Sequence, residues 1–481
     1  MLTPLPAASR AAATSMAQPG TGDHPLRVAI VGAGPAGFYA ADHLLKQKDL
    51  VVEVDLLDRL PTPHGLVRVG VAPDHQKIKA VTAAFDKVAA HPRFRFFGGI
   101  ELGRDVTVAD LRNHYHQIVY STGAQTDRRM GIPGEDLTGS HPATDFVAWY
   151  NGHPDYRDRH FDLSGEAAAV VGVGNVAVDV ARVLCRSPDE LATTDIADYA
   201  LDALRKSRIK TVYLLGRRGP AQAAFTNPEI KELGELAEAD IMTRPEEVEL
   251  DDLTRAELEQ NQDRATLKKV QILQEYARRA PAGKPRQLIV RFLVSPVELL
   301  GNDSGEVAAM RLVKNALALS PSGGLQARPT DQFEELSVDL VFRSVGYRGL
   351  PLPGIPFDER AGTIPHTRGR IVSPGTGQPI VGEYVTGWIK RGATGVIGTN
   401  KPDAAETVAS MLEDVTGGLT LEPRAADAEA AVRLFRARQP RCVSYADWLR
   451  LDKLEVEAGR PAGRPRRKFT RLDDMHAALG R

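Results

Sequence analysis

The stretch RVAIVGAGPAGFYAADHLL, residues 27–45, joins a run of β-branched and apolar residues to an alanine-rich run through closely spaced glycines. Gly32, Gly34 and Gly37 follow the pattern G-x-G-x-x-G, with Ala36 before the last glycine. The first glycine permits a tight turn, the second lets a pyrophosphate approach bare backbone, and the third lets helix and strand pack closely. The stretch therefore predicts a strand, a turn and a helix that open a dinucleotide-binding βαβ unit.

An acidic residue follows the next predicted strand, Val51–Leu57. Asp58 stands 21 residues after Gly37, at the position where Rossmann folds bind a ribose. A carboxylate there accepts hydrogen bonds from ribose hydroxyls and would repel a ribose 2′-phosphate. Asp58 therefore favours a dinucleotide with free ribose hydroxyls, such as FAD or NAD. A glycine-rich turn that serves only packing is the alternative explanation of this motif.

A second stretch, AAVVGVGNVAVDVARVL over residues 168–184, repeats the pattern of strand, turn and helix. Its turn has the spacing G-x-G-x-x-A and consists of Gly172, Val173, Gly174, Asn175, Val176 and Ala177. The next predicted strand, Thr211–Leu215, is followed by Arg217 and Arg218 and by no acid. Guanidinium groups bind phosphate in bidentate geometry, so this strand end favours NADP over NAD. A solvated turn is the alternative explanation of the arginine pair.

Short apolar runs alternate with helix-patterned stretches along most of the chain, which is typical of parallel sheets in α/β proteins. Further buried strands are expected at Phe94–Phe97, Gln117–Tyr120, Leu288–Pro296 and Leu340–Ser344. The polar, helix-patterned residues 246–279 are expected to lie on the surface. We therefore predict two Rossmann-like dinucleotide-binding domains, with the NADP-binding domain inserted in the FAD-binding domain.

The positions of these motifs give expected domain boundaries. They are a disordered N-terminal extension over residues 1–25, an FAD-binding domain over 26–127 that resumes at 345–481, and an NADP-binding domain over 128–344. One site for free ribose hydroxyls and one for NADP together imply hydride transfer between bound FAD and NADPH. The expected function is that of a flavoprotein oxidoreductase.

Composition supports a soluble globular protein of more than one domain. The chain has 481 residues, which is too many for one hydrophobic core. Of these residues, 42% are hydrophobic and 26% are charged. The net charge of -1 gives no global field for binding nucleic acid or membranes, so a charged partner must meet a local patch. No apolar run reaches the roughly 18 residues of a transmembrane helix.

Cysteine usage excludes several redox classes. Cys185 and Cys442 are the only cysteines, which excludes a disulfide framework, a four-cysteine zinc or iron–sulfur site and a Cys-x-x-Cys dithiol. Reduced packing thiols and a cytoplasmic location are expected. Residues 1–24 resemble a weak organellar transit peptide, which would imply an organellar matrix; a disordered tail, or a true start at Met16, is the alternative.

Four longer segments resemble ferredoxin–NADP reductases of the adrenodoxin-reductase type, and the resemblance extends across roughly residues 26–478. They are LPTPHGLVRVGVAPDHQKIK (60–79), DFVAWYNGHP (145–154), GRRGPAQAAFTNPEIKEL (216–233) and GWIKRGATGVIGTNKPD (387–403). The resemblance implies two Rossmann-like domains, non-covalent FAD, NADPH as electron donor and one-electron delivery to a ferredoxin-type iron–sulfur protein. A cytochrome P450 is an expected downstream acceptor. A monomer is the default expectation.

The resemblance also implies binding residues where the motifs match in place. For FAD they are Ala36, Gly37, Asp58, Leu66, Ile100, Trp388, Gly395, Val396 and Ile397. For NADP they are Arg128, Gly174, Asn175, Val176, Ala177, Arg217, Arg218, Glu229 and Gly395. Gly395 to Ile397 would bring backbone without bulk to the flavin edge, and the run after Pro402 is expected to form a helix nearby.

His75 and Glu232 match residues that the family places near the nicotinamide and the flavin. A histidine–carboxylate pair is able to position the nicotinamide or to carry a proton. The alternative for His75 is a structural role in the first turn of a helix capped by Asp74. Pro228, just before Glu229, is a departure from the family pattern that would shift the start of the helix carrying both glutamates.

A second departure from the family pattern is Gly98-Gly99, which stands where Gly-Asn is expected.

An acidic ferredoxin needs a basic patch near the flavin. Arg68, Lys390 and Arg391 are candidates for this patch, and the alternative is that each is a solvated loop charge.

Two other functions fit parts of the sequence. One is a two-dinucleotide flavoprotein that acts on a small molecule, as a monooxygenase does; disulfide reductases are disfavoured because Cys-x-x-Cys is missing. The other is a non-catalytic cofactor-binding protein. Both nucleotide loops and the arginine pair are intact, which favours an enzyme.

Overall fold

The computed structural model describes residues 18–321 and 323–481. Met16 and most of the expected N-terminal extension lie outside the described residues. At the end of this expected extension, residues 20–24 form a turn in which the Gly20 amide donates to the His24 carbonyl at 2.7 Å. The Gly20 carbonyl in turn accepts from the Val51 amide at 2.7 Å. This segment is therefore attached to the first sheet.

The strands are named in chain order. They are β1 (Leu26–Val31), β2 (Val52–Asp58), β3 (Phe94–Gly98), β4 (Gln117–Tyr120), β5 (Thr126–Asp127), β6 (Ser140–Pro142), β7 (Ala167–Val171), β8 (Thr211–Leu215), β9 (Ala239–Thr243), β10 (Arg286–Arg291), β11 (Val294–Gly301), β12 (Val307–Leu319), β13 (Leu325–Ser337), β14 (Leu340–Arg343), β15 (Tyr347–Arg348), β16 (His366–Thr367), β17 (Arg370–Val372) and β18 (Pro379–Val385).

The helices are named in the same way. They are α1 (Pro35–Leu45), α2 (Leu66–Val69), α3 (Gln76–Lys79), α4 (Thr82–Ala89), α5 (Val108–His114), α6 (Ala143–Tyr150), α7 (Asn175–Cys185), α8 (Pro188–Ala192), α9 (Asp198–Arg205), α10 (Asn227–Leu233), α11 (Pro245–Val248), α12 (Asp252–Asn261), α13 (Arg264–Arg278), α14 (Trp388–Arg391), α15 (Asn400–Thr416), α16 (Ala428–Arg438), α17 (Tyr445–Gly459) and α18 (Leu472–Ala478).

The first sheet has the strand order β16-β17-β18-β4-β1-β2-β3. β1 pairs in parallel with β2 and β4, so that Val31 lies opposite both Leu57 and Tyr120. Every residue of β1 is buried, as expected for a central parallel strand covered on both faces. The carboxyl ends of three neighbouring strands therefore meet at one edge, where the first glycine turn and Asp58 lie.

The second sheet has the strand order β6-β14-β7-β8-β10-β9, and all of its pairs are parallel. In the first sheet, by contrast, the pairs β16–β17 and β17–β18 are antiparallel. Val171 at the end of β7 lies opposite Leu215 of β8 and Arg343 of β14. The second glycine turn and the Arg217–Arg218 pair thus share one edge of this sheet. Both sheets fit the α/β class with two Rossmann-like units. The second unit lies in the chain between β4 and β16 of the first.

Two regions differ from the sequence prediction. The expected strand Leu288–Pro296 is two strands, β10 and β11, and β11 begins an antiparallel sheet in the order β11-β12-β13. The helical stretch over residues 246–279 is only partly a surface feature. Ile272, Leu273 and Tyr276 of α13 are buried in the core of the second unit, so one face of this helix completes that core.

Buried charges from three parts of the chain meet where the units contact each other. The carboxylate of Asp195 accepts from Lys79 Nζ at 2.7 and 2.8 Å, and it lies 3.2 Å from Lys468 Nζ. All three residues are at least nine-tenths buried. Burial alone would raise the pKa of Asp195, but the ammonium groups of Lys468 and Lys79 lower it to about 2. Asp195 is therefore the shared counter-ion of two buried lysines.

Within the described residues, no helix is both long enough and apolar enough to span a membrane.

The substitution Asp195→Ala tests this ion cluster. It leaves Lys79 and Lys468 buried without their carboxylate, and we expect the free energy of unfolding of the full chain to fall by about 3–5 kcal/mol. Asp158→Ala is the matched control, because Asp158 pairs with Arg471 on the surface, where such a pair contributes about 0–1 kcal/mol. Urea unfolding followed by tryptophan fluorescence at pH 7 measures both, and equal urea midpoints would contradict the assignment.

The same cluster has a defined pH dependence. A carboxylate with a depressed folded-state pKa stabilises the fold above its unfolded pKa, and this contribution is lost as the carboxylate is protonated. The contribution of Asp195 should be complete above about pH 4 and should disappear as the pH falls through 2.

Candidate functional site

The first glycine turn has the backbone geometry that its sequence predicts. Gly32 has φ +110°, and a Cβ there would lie 2.6 Å from the Ser121 carbonyl oxygen. A Cβ at Gly37 would lie 2.3 Å from the Gly32 carbonyl oxygen, whereas one at Gly34 would meet no atom within 4 Å. The first and third glycines are thus needed for packing. The second leaves open space before the positive end of α1, where a pyrophosphate would bind.

Asp58 lies beside this turn at the end of β2. Its Oδ2 accepts from the Ala33 amide at 2.8 Å, and its Oδ1 accepts from the Leu60 amide at 2.9 Å. Burial raises the pKa of Asp58, and these two N–H donors oppose that shift. The Ile100 amide donates to the Asp58 carbonyl at 2.9 Å, although the Ile100 side chain is buried in the core.

The segment 61–69 passes across the first turn. A Cβ at Gly65 would lie 2.9 Å from Gly34 Cα, so two stretches of bare backbone approach each other here. Leu66, which follows, is 41% exposed at the start of α2. Gly99 has φ +84°, and asparagine adopts positive φ more readily than most residues, so an asparagine would be tolerated at this position.

The expected flavin-edge segment is an open glycine-rich loop before α15. Gly395 has φ +78°, and a Cβ there would lie 2.5 Å from Thr399 Oγ1. Val396 is 50% exposed and precedes a 3₁₀ turn, Ile397–Thr399, that runs directly into the expected helix. Trp388 Nε1 donates to the Thr394 carbonyl at 3.1 Å, which ties both ends of the loop together.

The residues present at the first site fit FAD. The open face of Gly34 gives space for the pyrophosphate, and Asp58 keeps lone pairs for ribose hydroxyls beside it. The exposed apolar side chains of Leu66 and Val396 are suited to a flat aromatic ring. A metal ion would find no comparable set of donors among these groups.

The second glycine turn repeats this geometry. Gly172 has φ +130°, and a Cβ there would lie 2.2 Å from the Ser344 carbonyl oxygen. A Cβ at Gly174 would meet no atom within 4 Å, which again leaves space before a helix N-terminus. Asn175 Oδ1 accepts from the Thr226 amide at 3.0 Å, so the turn also fixes the start of α10. Val176 and Ala177 follow in the first turn of α7.

The arginine pair borders a cavity of about 300 Å³. Its lining residues are Arg217, Arg218, Ser295, Asn315, Leu325, Gln326, Ala327 and Pro329. Within residues 18–321 and 323–481, neither guanidinium has an acidic ion-pair partner. Two unneutralised guanidinium groups beside a cavity are suited to a phosphate. Arg128 does not line this cavity; its Nη2 donates to the Ala361 carbonyl at 3.2 Å.

His75 and Glu232, which are far apart in the sequence, are in direct contact. His75 Nε2 lies 2.8 Å from Glu232 Oε2 and 3.9 Å from Glu229 Oε2. Glu229 and Glu232 are one helical turn apart on α10, which places both carboxylates on the side that faces His75. Pro228 is the second residue of α10, a position where a missing N–H is tolerated, so the helix starts normally.

A buried arginine lies at the centre of this cluster. Arg182 Nε lies 2.7 Å from Asp74, its Nη2 lies 2.7 Å from Asp179, and its Nη1 lies 3.3 Å from Glu229. Burial raises the pKa of Asp179 and of Glu229, and Arg182 opposes both shifts. Burial would also raise the pKa of Asp74, but the hydrogen bond from Arg182 lowers it to about 2.

Arg182 also contacts the second ring nitrogen of His75. Its Nη2 lies 3.4 Å from His75 Nδ1, in addition to its shorter hydrogen bonds to Asp74 and Asp179. A guanidinium is only a donor, so this contact favours the neutral tautomer in which Nδ1 accepts and Nε2–H donates to Glu232.

Several sequence interpretations are corrected here. Asp74 does not cap the helix that follows His75, because its carboxylate binds Arg182 and Arg186 instead. Arg68 and Lys390 are neither a basic docking patch nor solvated loop charges. Arg68 makes a two-fold contact with Glu455 and is buried, and Lys390 is buried against Asp403 at 3.0 Å and against Glu406.

Asp74, Asp179 and Arg182 were not identified from the sequence as site residues. A signal was present, since Asp179 and Arg182 are three residues apart in the otherwise apolar helix VAVDVARVL. Charged residues inside such a helix must be paired. Their partners come from distant parts of the chain, which the helix alone does not reveal.

The substitution Arg182→Met tests the central position of this arginine. Without the guanidinium, Asp179 and Glu229 are buried near each other, and we expect unfolding to become easier by about 3–5 kcal/mol at pH 8. The deficit should shrink as the pH is lowered toward 5, because protonation of the two carboxylates with raised pKa values removes their repulsion. Urea midpoints at both pH values measure this. Arg205→Met, on a surface pair, is the control, and a pH-independent deficit would contradict the interpretation.

Comparison with known proteins gives consistent matches. Residues 26–215 match the family model of the pyridine nucleotide-disulphide oxidoreductases. NADPH-ferredoxin reductase FprA of Mycobacterium tuberculosis is 47% identical over 464 residues, covering 94% of this chain and 98% of that protein. The mitochondrial NADPH:adrenodoxin oxidoreductase of Arabidopsis thaliana is 41% identical and covers 94% of this chain and 95% of that protein.

A solved structure matches the fold over nearly the whole chain. Mycobacterium tuberculosis FprA in complex with NADPH has a TM-score of 0.88 and 45% sequence identity, covering 95% of this chain and 100% of that chain. The similarity therefore includes both sheets and the segments that connect them.

Proposed function

The chain belongs to the family of NADPH–ferredoxin reductases that includes the adrenodoxin oxidoreductases, and we propose that it passes electrons from NADPH through FAD to a ferredoxin-type iron–sulfur protein. The observation that carries the proposal is the contrast between the two nucleotide turns. Asp58 follows the strand after the first turn, whereas Arg217 and Arg218 follow the strand after the second. The small-molecule and non-catalytic alternatives are not favoured.

The chain's own residues have distinct tasks. When bound, a flavin accepts two electrons from a nicotinamide and releases them one at a time to an acceptor. Asp58 and the bare backbone at Gly34 hold the first dinucleotide, and Gly174 with the arginine pair holds the second. His75, held by Arg182 and Glu232, orients the nicotinamide and carries a proton at Nε2.

The binding roles assigned from the sequence form part of this proposal. The FAD residues are Gly32, Gly34, Ala36, Gly37, Asp58, Leu66, Ile100, Trp388, Gly395, Val396 and Ile397, and the NADP residues are Arg128, Gly172, Gly174, Asn175, Val176, Ala177, Arg217, Arg218, Glu229 and Gly395. The division into an FAD-binding domain over 26–127 and 345–481 and an NADP-binding domain over 128–344 is proposed on the same basis. It is supported by the separate sheets.

The ferredoxin contact is proposed to be transient and electrostatic, with the reductase as a monomer. Arg68 and Lys390 are unavailable for this contact, so it must use other bases. Lys77 and Lys401 are exposed and stand in sequence next to His75 and to the flavin-edge loop. A cytoplasmic location is proposed from the two cysteines, which are both free.

The proposed function is tested by an anaerobic visible titration of the FAD-loaded protein. We expect NADPH to bleach the flavin bands at much lower concentration than NADH, and an added ferredoxin to support cytochrome c reduction that weakens with salt. In the double variant Arg217→Ala/Arg218→Ala, the NADPH concentration for half-bleaching should rise by roughly 10- to 100-fold while that for NADH stays constant. Equal bleaching by both nucleotides in the wild type would overturn the NADP assignment.

The role of His75 has its own test. In His75→Gln, the limiting rate of flavin reduction by NADPH should fall by roughly 10- to 100-fold, because the nicotinamide is no longer held in line. Stopped-flow absorbance measures this rate, and the NADPH dissociation constant should change little. Exposed His160, replaced by glutamine, is the control. An unchanged rate in His75→Gln would leave His75 with only a structural role.

A further inference from the structure

Asn315 is a buried amide in the cavity that borders the arginine pair. It lies on β12 and is 7% exposed. The pairing of β12 with β13 shifts register between Val313 and Asn315, and such a bulge redirects the side chain of the irregular residue. No sequence motif near the second glycine turn indicates this residue, which is 98 positions after Arg217.

The amide nitrogen of Asn315 fixes the backbone of the arginine pair. Its Nδ2 donates to the Arg217 carbonyl at 2.9 Å and to Ser295 Oγ at 2.8 Å. Its main-chain N–H donates to the Leu293 carbonyl at 2.7 Å, and the Leu293 amide donates to the Arg218 carbonyl at 3.1 Å. Asn315 thus holds the Arg217 carbonyl directly and the Arg218 carbonyl through the backbone of Leu293.

The amide oxygen of Asn315 has no donor. Oδ1 is buried and lacks a hydrogen-bond partner among the described residues. Buried acceptors in native proteins are normally satisfied, and an unsatisfied one is costly. Oδ1 has no accessible surface, so Asn315 acts on the cavity through Nδ2, which holds the Arg217 backbone. Arg217 and Arg218 line the same 300 Å³ cavity, and neither guanidinium has an acidic partner among the described residues, which points to a phosphate-bearing ligand.

We infer that Asn315 is a specificity-determining residue for the 2′-phosphorylated adenosine half of NADPH, an inference that rests on the proposed function. Nδ2 holds the Arg217 backbone so that the guanidinium pair meets the 2′-phosphate. A residue with this task affects binding of NADPH more than binding of NADH, because only NADPH carries the 2′-phosphate that the guanidinium pair meets.

The substitutions Asn315→Asp and Asn315→Ala test the inference. The aspartate keeps the shape but replaces the Nδ2 donor by a carboxylate oxygen. This oxygen repels the Arg217 carbonyl and places negative charge beside the phosphate, so KM for NADPH should rise at least about tenfold with kcat unchanged. The alanine should raise KM for NADPH by a smaller factor. KM for NADH should change less than twofold in both variants. Ferredoxin-coupled cytochrome c reduction by the FAD-loaded enzyme measures both constants.

Controls separate this inference from the proposed function. Asn302→Asp, at an exposed turn between β11 and β12, should leave both constants unchanged. FAD content and the urea midpoint show whether each variant is folded. If KM for NADPH and for NADH rise by the same factor in Asn315→Asp, or neither rises, the inference is overturned while the proposed function stands. If the wild type itself shows no preference for NADPH, both are overturned.

Discussion

The Arg182 guanidinium is fully buried, and a buried cation requires carboxylates within reach. Asp179 comes from its own helix, Glu229 from α10, and Asp74 from the segment that precedes α3. Three separate parts of the chain must therefore converge on one side chain. That convergence places His75 against Glu232, so the arrangement proposed for catalysis depends on satisfying this one charge.

The same requirement operates at a second point of contact between the two units. Lys79 follows His75 by one helical turn, and it shares Asp195 with Lys468 from the C-terminal segment. The short helix α3 is thus held at both ends by buried ion pairs to the second unit. Buried pairs of this kind contribute little net stability compared with apolar packing, but breaking one is costly, which makes them effective in specifying a single arrangement.

The two nucleotide turns have the same backbone geometry, but the residues at the neighbouring strand ends differ in charge. In both sheets a glycine turn leaves a central strand and opens space before a helix N-terminus. The selectivity that we propose lies with the neighbouring strand, which ends at Asp58 in the first sheet and before Arg217 in the second. The antiparallel sheet β11–β13 contributes Asn315 to the cavity beside the arginine pair, so part of the cavity wall comes from outside the nucleotide-binding motif.

By itself the sequence determined the two βαβ openings, most of the parallel strands, the contrast between Asp58 and the arginine pair, and the family. These features are local, because the spacing of glycines and the residue at a strand end act through the nearby backbone. Only the tertiary structure decided the antiparallel sheet, the core face of α13, the burial of Arg68 and Lys390, and the partners of Asp74, Arg182 and Asn315. Each of these features depends on which distant segment supplies a counter-ion, an acceptor or an apolar surface. A buried charged or polar group must have such a partner, but the partner's position leaves no periodic pattern in the sequence.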